Sequence, residues 1–324
     1  MDILLTAFLG TPVWMWAGFA AVVGLLLAFD LGILHRDSRE IGVAESLRLS
    51  ALYIALGIGF GGLVWWQLGA GPAVEYLTAF TVEKSLALDN IFVIALIFGF
   101  FGIPRAHQHR VLFWGILGVI VLRAVMIGLG ATLVADYHWL LYLFAAFLIV
   151  TGVKMLVLGD KEMRLEDNPL LKFLRRRFRV TDQLQGAAFL TRQKDPVSGK
   201  MAIFLTPLLL ALILIEVADI IFAVDSVPAV FAITTDPFIV YTSNIFAILG
   251  LRALYFALAA VLHRFAYLKQ ALAVLLVFIG SKIFIADLLG WSKFPAEWSL
   301  GVTFAILASG VAYSLWRTRS ASPR

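Results

Sequence analysis

The sequence predicts an all-α integral membrane protein with about nine transmembrane helices, forming a single polytopic domain over residues 1–324. Hydrophobic residues make up 61% of the chain and the mean hydropathy is +0.94, whereas a soluble domain contains roughly 45–50% apolar residues. Only 15% of the residues are charged, and they gather between the apolar runs. The chain therefore has no room for a large soluble domain.

Nine apolar segments are each long enough to cross a bilayer, whose hydrocarbon core takes about 20 helical residues. Residues 69–72 contain two glycines and a proline, which favour a tight turn between the second and third segments. Residues 1–4 lack the basic region of a secretory signal, so we expect the first span to be retained. The predicted spans are 13–34, 49–68, 73–100, 111–134, 139–158, 202–227, 238–262, 268–289 and 298–316.

The basic residues are distributed unevenly between the two sides of these spans. Most of the 26 lysine and arginine residues lie in the connections on one side, whereas the opposite connections contain only Lys293. Because positively charged connections stay in the cytoplasm, we expect the amino terminus outside and the carboxyl terminus inside. This topology also explains the net charge of +5, so the charge gives no reason to expect a nucleic-acid partner.

Residues 159–201 form the one long polar connection, which this topology places in the cytoplasm. The connection contains a basic run over residues 172–179. Clustered basic charge is attracted to the anionic cytoplasmic leaflet, so the run could bind lipid or regulate the protein. The alternative, which we favour, is a topology-setting loop with a short interfacial helix.

Two acidic segments lie inside spans three and six, where an ionisable side chain is costly and marks a candidate functional site. Residues 83–90 and 216–226 share a pattern of an acid, an alanine, an aspartate and a neutral side chain with an oxygen atom. The matched pairs are Glu83 with Asp219, Asp89 with Asp225, and Asn90 with Ser226.

Two basic pairs extend this match into an internal repeat. Arg123 in span four matches Arg252 in span seven, and Lys154 in span five matches Lys282 in span eight. Since each repeat contains three helices, the second must run upside down relative to the first. Inverted repeats with a site at their interface are a recurring transporter design. The predicted inverted 3+3 repeat joins spans 3–5, over residues 73–158, to spans 6–8, over residues 202–289.

The acidic segments supply oxygen ligands in quantity, and the chain has no cysteine to supply a thiolate. Such oxygens suit a hard divalent cation such as Mn²⁺, Mg²⁺ or Ca²⁺. The candidate metal ligands are Glu83, Asp89, Asn90, Glu216, Asp219, Asp225 and Ser226. The acids could instead form structural ion pairs that tie helices together. The candidate counter-ions are Lys84, Arg123, Lys154, Arg252 and Lys282.

One unbroken helix cannot direct all of these acids at one ion. On an ideal helix, Glu83 and Asp89 lie about 120° apart, and Asp225 lies about 180° from Glu216. The site therefore needs helices that face each other or an unwound backbone. Pro228 lacks an N–H and clashes with the carbonyl four residues back, so we expect span six to be kinked or broken beside Asp225.

The acidic segments resemble those of the TerC family of membrane proteins, within the LysE transporter superfamily, and look most similar to its Alx-like branch. The stretches that carry the resemblance are residues 83–93, 216–229, 235–240, 243–252 and 278–282. The resemblance implies export of Mn²⁺ across the bacterial inner membrane, with the motif acids as candidate ligands. Without it, the residues lead only to a hard-cation site in an inverted-repeat transporter, so the choice of manganese depends on the family.

We expect a transporter that works by alternating access at a site near the membrane midplane, with protons as the candidate coupling ion. No enzymatic constellation or cofactor-binding motif competes with this interpretation. Two other functions stay open. One is a membrane scaffold for a metal-resistance or secretion complex, held together by intramembrane salt bridges, and the other is an exporter of another small solute.

Overall fold

The structure is a computed structural model of the 324-residue chain, and it describes residues 6–34, 42–137, 139–158, 168–194, 199–258, 268–291 and 294–320. Within these ranges the chain is helical apart from two antiparallel hairpins and the connections. The helices are α1 Val13–Leu34, α2 Val43–Leu68, α3 Ala70–Phe100, α4 Arg105–Asp136, α5 Leu140–Leu158, α6 Pro169–Arg177, α7 Pro207–Phe231, α8 Pro237–Ile248, α9 Leu251–Leu258, α10 Leu268–Leu288 and α11 Ala296–Ser320. The strands are β1 Ala7–Phe8, β2 Thr11–Pro12, β3 Leu190–Lys194 and β4 Met201–Leu205.

The helices confirm the predicted all-α membrane fold. In the part of the chain that the structure describes, 7 helical segments are long and apolar enough to cross a membrane, with α8 and α9 together forming one of them. The apolar part of α1 is shorter, and the 31 residues of α3 include charged side chains. The total of nine spans, which adds α1 and α3, stays a prediction.

Span six begins later than predicted, because residues 201–205 form strand β4 rather than helix. This strand pairs with β3 in an antiparallel hairpin. Thr206 then holds the end of β4 against the residues that precede β3, since its hydroxyl donates to the carbonyls of Ala188 (2.7 Å) and Phe189 (3.0 Å). Helix α7 follows at Pro207, which suits a first helical position because that residue needs no N–H donor.

The long connection predicted to be cytoplasmic contains the short helix α6. The Asn168 side chain accepts hydrogen bonds from the N–H groups of Leu170 (2.9 Å) and Leu171 (3.3 Å) and so begins the helix. Leu171 and Leu174 are buried against Leu210 of α7, while the last turn contains three arginines. The helix is therefore amphipathic and docked on the bundle. Its position at a membrane surface stays a prediction.

Helix α7 is not broken at Pro228, contrary to the prediction. The helix continues through Pro228 to Phe231, and the Pro228 carbonyl accepts a hydrogen bond from the N–H of Ala232 (2.9 Å). Because Pro228 lies in the last turn, its missing N–H removes one hydrogen bond close to the helix end, where little helix remains to be displaced. The acids of α7 therefore lie on one continuous helix.

The backbone breaks instead between α8 and α9, within the predicted seventh span. Gly250 has a φ of +79°, and a Cβ there would lie 2.6 Å from the Cβ of Tyr53, so both conformation and space require glycine. The Lys84 Nζ donates to the carbonyls of Ala247 (2.9 Å) and Leu249 (3.2 Å). Carbonyls at a helix end have no following turn to bond them, so Lys84 satisfies the end of α8.

Helices α5 and α10 pack closely through one glycine each. A Cβ on Gly152 would lie 2.6 Å from the carbonyl oxygen of Ala273, and a Cβ on Gly280 would lie 2.5 Å from that of Ala145. The partner number falls as the residue number rises, so the helices are antiparallel. In the predicted repeat, Gly280 is the counterpart of Gly152 and Ala273 is the counterpart of Ala145, so the two contacts join the same positions with the helices exchanged. Such an exchange is expected across a two-fold axis and supports the inverted repeat, which stays a prediction.

Adding one methyl group at either glycine should weaken this helix pair. We expect Gly152→Ala and Gly280→Ala each to lower the free energy of unfolding by about 1–3 kcal/mol, because the new Cβ meets backbone rather than a flexible side chain. The measurement is thermal unfolding of the detergent-purified protein. Gly59→Ala in α2 is the matched control, since its Cβ would have nothing within 4 Å. Equal melting temperatures for all three variants would contradict the close packing.

Candidate functional site

A buried arginine on α4 joins four helices in the interior of the bundle. The Arg123 side chain is 1% exposed, and its guanidinium donates to the carboxylate of Glu83 on α3. Its Nε and Nη2 donate to the two carboxylate oxygens of Asp219 on α7, at 3.3 and 3.2 Å. Its Nη1 also donates to Ser226 Oγ on α7 (3.1 Å) and to Asn244 Oδ1 on α8 (3.2 Å). All four partners are buried.

The two acidic segments meet around this arginine in exchanged pairs. Asn90 on α3 donates to Asp219 Oδ1 at 3.1 Å, and Glu83 and Ser226 accept from the same nitrogen, Nη1 of Arg123. Glu83 matches Asp219 in the predicted repeat, and Asn90 matches Ser226, so each pair is the counterpart of the other. Helices α3 and α7 are therefore antiparallel at this point. We call Glu83, Asn90, Arg123, Asp219, Ser226 and Asn244 the buried polar cluster.

Several buried oxygen atoms in and beside the cluster have no hydrogen-bond partner among the described residues. They are Oε2 of Glu83, Oδ1 of Asn90 and Oε2 of Glu216. The Glu216 side chain is half-buried and lies against Gly118 of α4, where a Cβ would collide with its carboxylate. Buried polar atoms almost always have a partner in the protein, in ordered water or in a bound ion. Water or a cation near these oxygens would supply that partner.

The other predicted site residues differ in how exposed they are and in what they contact. Asp89 and Asp225 belong to α3 and α7, but their side chains lie outside the described residues. Arg252 is buried in α9, with its Nη1 3.5 Å from Nε2 of His109. Lys154 is exposed. Among the described contacts, Arg123 bonds the motif acids Glu83 and Asp219.

Lys282 is buried in α10, and its Nζ donates to Ser299 Oγ on α11 at 3.2 Å. Among the described side chains, no three histidines, aspartates or glutamates lie close enough to hold a metal ion. That search does not extend to the carboxylates of Asp89 and Asp225, whose positions are not described. The cluster therefore offers two carboxylates, two amide oxygens and one hydroxyl, with Arg123 between the carboxylates.

Asn244 is a member of the cluster that the sequence argument did not select. It lies within an apolar helix and is completely buried. A polar amide in a membrane span is itself a signal, because an unsatisfied polar group is costly there. Its repeat counterpart in α4 is Gly115, which has no functional group, so the repeat comparison gave no reason to single it out.

Among the described residues, two cavities lie at opposite ends of the stretch of α3 that contains Glu83, and the smaller is lined by members of the cluster. The larger has a volume of about 260 Å³ and is lined by Glu75 and Thr78 of α3, with Phe231 at the end of α7. The smaller has a volume of about 30 Å³ and is lined by Asn90 and Asp219 of the cluster. Glu83 lies between Thr78 and Asn90 in the helix, so the cluster separates the two cavities.

A sequence profile for the family described as "Integral membrane protein TerC family" matches residues 68–322, which is most of the chain. The chain belongs to the TerC family. This confirms the resemblance carried by the acidic segments. The family assignment agrees with a multi-pass membrane protein and fits a transporter or another role in handling ions.

Relatives of this TerC chain match it over nearly their whole length. An "Uncharacterized membrane protein STKORF319" of Myxococcus xanthus is 46% identical over 312 residues, covering 96% of this chain and 95% of the relative. A "Putative membrane-bound redox modulator Alx" of Shigella flexneri is 45% identical over 316 residues, covering 95% and 96%. The protein of that name in Escherichia coli K12 is also 45% identical over 316 residues, covering 95% of each chain. No solved structure matches the chain.

The described contacts of Lys84 indicate that it caps the end of α8, whereas the sequence predicted a counter-ion to the acids. Lys84→Met should lower the free energy of unfolding by about 1–3 kcal/mol, because two buried carbonyls at the end of α8 lose their donor. Thermal unfolding in detergent measures this loss, and Lys154→Met is the matched control on an exposed lysine. A melting temperature equal to that of wild type would contradict the capping role.

Proposed function

We propose that this TerC protein exports divalent manganese across the bacterial inner membrane by alternating access at the buried polar cluster. The observation that carries the proposal is the meeting of Glu83 and Asp219 inside the bundle, between two cavities. Paired carboxylates inside a membrane protein are costly and typically mark an ion pathway. The larger cavity would be the route to the outside, in agreement with the topology predicted from basic residues.

The donor set supports a hard cation as the cargo. Carboxylate, amide and hydroxyl oxygens come together from α3 and α7, and Glu83 and Asn90 each retain a buried oxygen that has no partner in the described part of the chain. Asp89 directly precedes Asn90, and Asp225 directly precedes Ser226. Two further carboxylates are therefore anchored one residue from members of the cluster. Such oxygens suit Mn²⁺, Mg²⁺ or Ca²⁺, and the family resemblance favours Mn²⁺.

The difference between the cavities supports alternating access. A mobile carrier exposes its site to one side at a time, with inverted repeats exchanging their conformations. The larger cavity has about 260 Å³ and the smaller about 30 Å³. The two cavities are therefore unequal in size, which fits one state of such a cycle.

A second candidate function is a membrane scaffold in which the cluster is only a structural network. Arg123 favours this hypothesis, because its contacts with Glu83 and Asp219 would tie three helices together without any ion. Some relatives are named as redox modulators, but this chain contains no cysteine, so the name gives no reason to propose thiol chemistry here. We propose no enzymatic reaction, and the partners of the chain would be the cation, protons and the lipid bilayer.

Substitution of the motif aspartates separates the two candidate functions. We expect Asp89→Asn and Asp225→Asn each to reduce Mn²⁺ export at least about tenfold, because a neutral amide binds a hard cation far more weakly than a carboxylate. The measurement is cellular manganese by elemental analysis, after manganese loading of cells that lack their own exporters. Asp182→Asn is the matched control, since the Asp182 side chain is 88% exposed. Export at wild-type rates by both variants, at normal membrane levels, would contradict the proposed site.

Lower pH on the loading side should weaken the binding of Mn²⁺ to the carrier. Carboxylates bind a metal ion only when deprotonated, so protons and Mn²⁺ compete for the same oxygens. In proteoliposomes, the apparent KM for Mn²⁺ should rise as the pH on the loading side falls from 8 to 6, while exchange of protons for metal should acidify the compartment that Mn²⁺ leaves. A KM that is independent of pH, with no proton movement, would exclude protons as the coupling ion.

A further inference from the structure

We infer that Arg123 is a tethered counter-ion that occupies the cargo site when the carrier is empty and leaves the motif carboxylates when a divalent cation binds. This inference rests on the proposed function, because it assigns a role to a residue within the same site. Arg123 is then a residue that controls affinity and cycling, in addition to joining the helices.

The first argument is the position of the guanidinium. It lies between two carboxylates from different helices and uses Oε1 of Glu83 together with both carboxylate oxygens of Asp219. This is the place that a bridging cation would take. A divalent ion binds oxygen at about 2.0–2.6 Å, so an ion on these three oxygens would lie against the N–H groups of Arg123.

The second argument is electrostatic. Two positive groups in contact repel strongly in a buried space, where little water screens them. The side chain of Arg123 is 1% exposed, so solvent cannot relieve this repulsion. A cation that takes the carboxylate oxygens of Glu83 and Asp219 must therefore displace the guanidinium.

The third argument is that neutral partners for the displaced guanidinium are already in place. Nη1 of Arg123 donates to Ser226 Oγ at 3.1 Å and to Asn244 Oδ1 at 3.2 Å. Neither partner is a carboxylate, and Asn244 is not among the candidate metal ligands, so its oxygen can continue to accept a hydrogen bond after Glu83, Asp219 and Ser226 have turned to the cargo. Asn244 lies on α8, which ends at the backbone break before Gly250.

A tethered counter-ion has a consequence for the transport cycle. An exporter must return without Mn²⁺ after it releases its cargo, carrying protons where protons are the coupling ion, and any carboxylates that stay charged inside a membrane oppose that step. Arg123 would neutralise them during the return. Without Arg123, the carrier should bind cargo more tightly but return empty less easily, so that exchange of cargo for cargo persists while net export fails.

The first test is Mn²⁺ binding to detergent-purified protein at pH 8, where protonation of newly unpaired carboxylates interferes least. We expect Arg123→Ala to bind Mn²⁺ about tenfold more tightly than wild type, which corresponds to about 1.4 kcal/mol. Added guanidinium ion at millimolar concentration should raise the Kd of Arg123→Ala by refilling the vacated space, and should leave the wild-type Kd unchanged. Lys154→Gln removes an exposed positive charge and should bind as wild type.

The second test is transport in proteoliposomes. Arg123→Ala should retain exchange of internal for external Mn²⁺ while losing net efflux at least tenfold. A residue that only holds helices together would lose both activities in parallel. If Arg123→Ala does not fold, Arg123→Lys provides the same tests, because it keeps a positive charge among the carboxylates. The single ammonium of the lysine cannot reproduce the forked contacts with Asp219. The Kd of Arg123→Lys for Mn²⁺ should therefore lie below that of wild type, but by less than the tenfold expected for Arg123→Ala.

The outcomes distinguish this inference from the proposed function. If wild type binds and exports Mn²⁺ but the Arg123 variants bind it equally or more weakly, the tethered counter-ion is overturned and the exporter remains. The ion would then use the oxygens that Arg123 leaves unbonded, such as Oε2 of Glu83. If wild type neither binds nor moves Mn²⁺, both proposals fail. Tighter binding, guanidinium competition and retained exchange together support the inference.

Discussion

The ion pairs of Arg123 constrain the interior of this protein more than any other described contact. A guanidinium that is 1% exposed inside an apolar bundle must be paired, since removing one partner of a buried ion pair costs about 3–5 kcal/mol. Its two carboxylates come from α3 and α7, and its neutral partners from α7 and α8. The relative positions of four helices are therefore coupled to one side chain. A change of charge at this point should move helices as well as ions.

The matched arginines of the two predicted repeats differ in their surroundings. Arg123 lies in the continuous helix α4, whereas Arg252 lies in α9, just after the break at Gly250. Arg123 bonds Glu83 and Asp219, and the described contacts of Arg252 include its Nη1 at 3.5 Å from Nε2 of His109. A sequence with two similar halves thus has different local structure in each half. Inverted-repeat transporters require this difference in any single state, because their halves alternate between two conformations.

Much of the fold and part of the site could be predicted from the sequence, because burying charge in an apolar span is costly whatever the fold. That cost singled out the acids, and it also predicted basic partners, of which Arg123 is one. The exchanged pairings of Asn90 and Ser226 agree with the repeat comparison, since equivalent positions in antiparallel helices face each other across an axis. The family assignment confirmed the resemblance found in the same residues.

Other features depend on tertiary contacts that no local pattern contains. The helix break was predicted near Pro228, but it lies at Gly250, where Tyr53 packs against the backbone and Lys84 bonds the carbonyls of α8. The short apolar run at residues 201–205 is compatible with either a strand or the start of a helix. Its pairing with β3, which no local pattern contains, makes it a strand. Lys84 follows Glu83 directly, yet its ammonium reaches a different helix, because neighbouring residues project from different sides of α3.

The size of the smaller cavity bears on which cation the proposed exporter would accept. Its volume of about 30 Å³ has room for about two water molecules, so a fully hydrated ion cannot reach Asp219 through it in this state. An ion that binds there must first lose most of its water. Magnesium dehydrates reluctantly and keeps several waters in most protein sites, whereas calcium prefers six to eight oxygen ligands. A narrow approach therefore disfavours magnesium, whereas the choice between manganese and calcium still depends on the family resemblance.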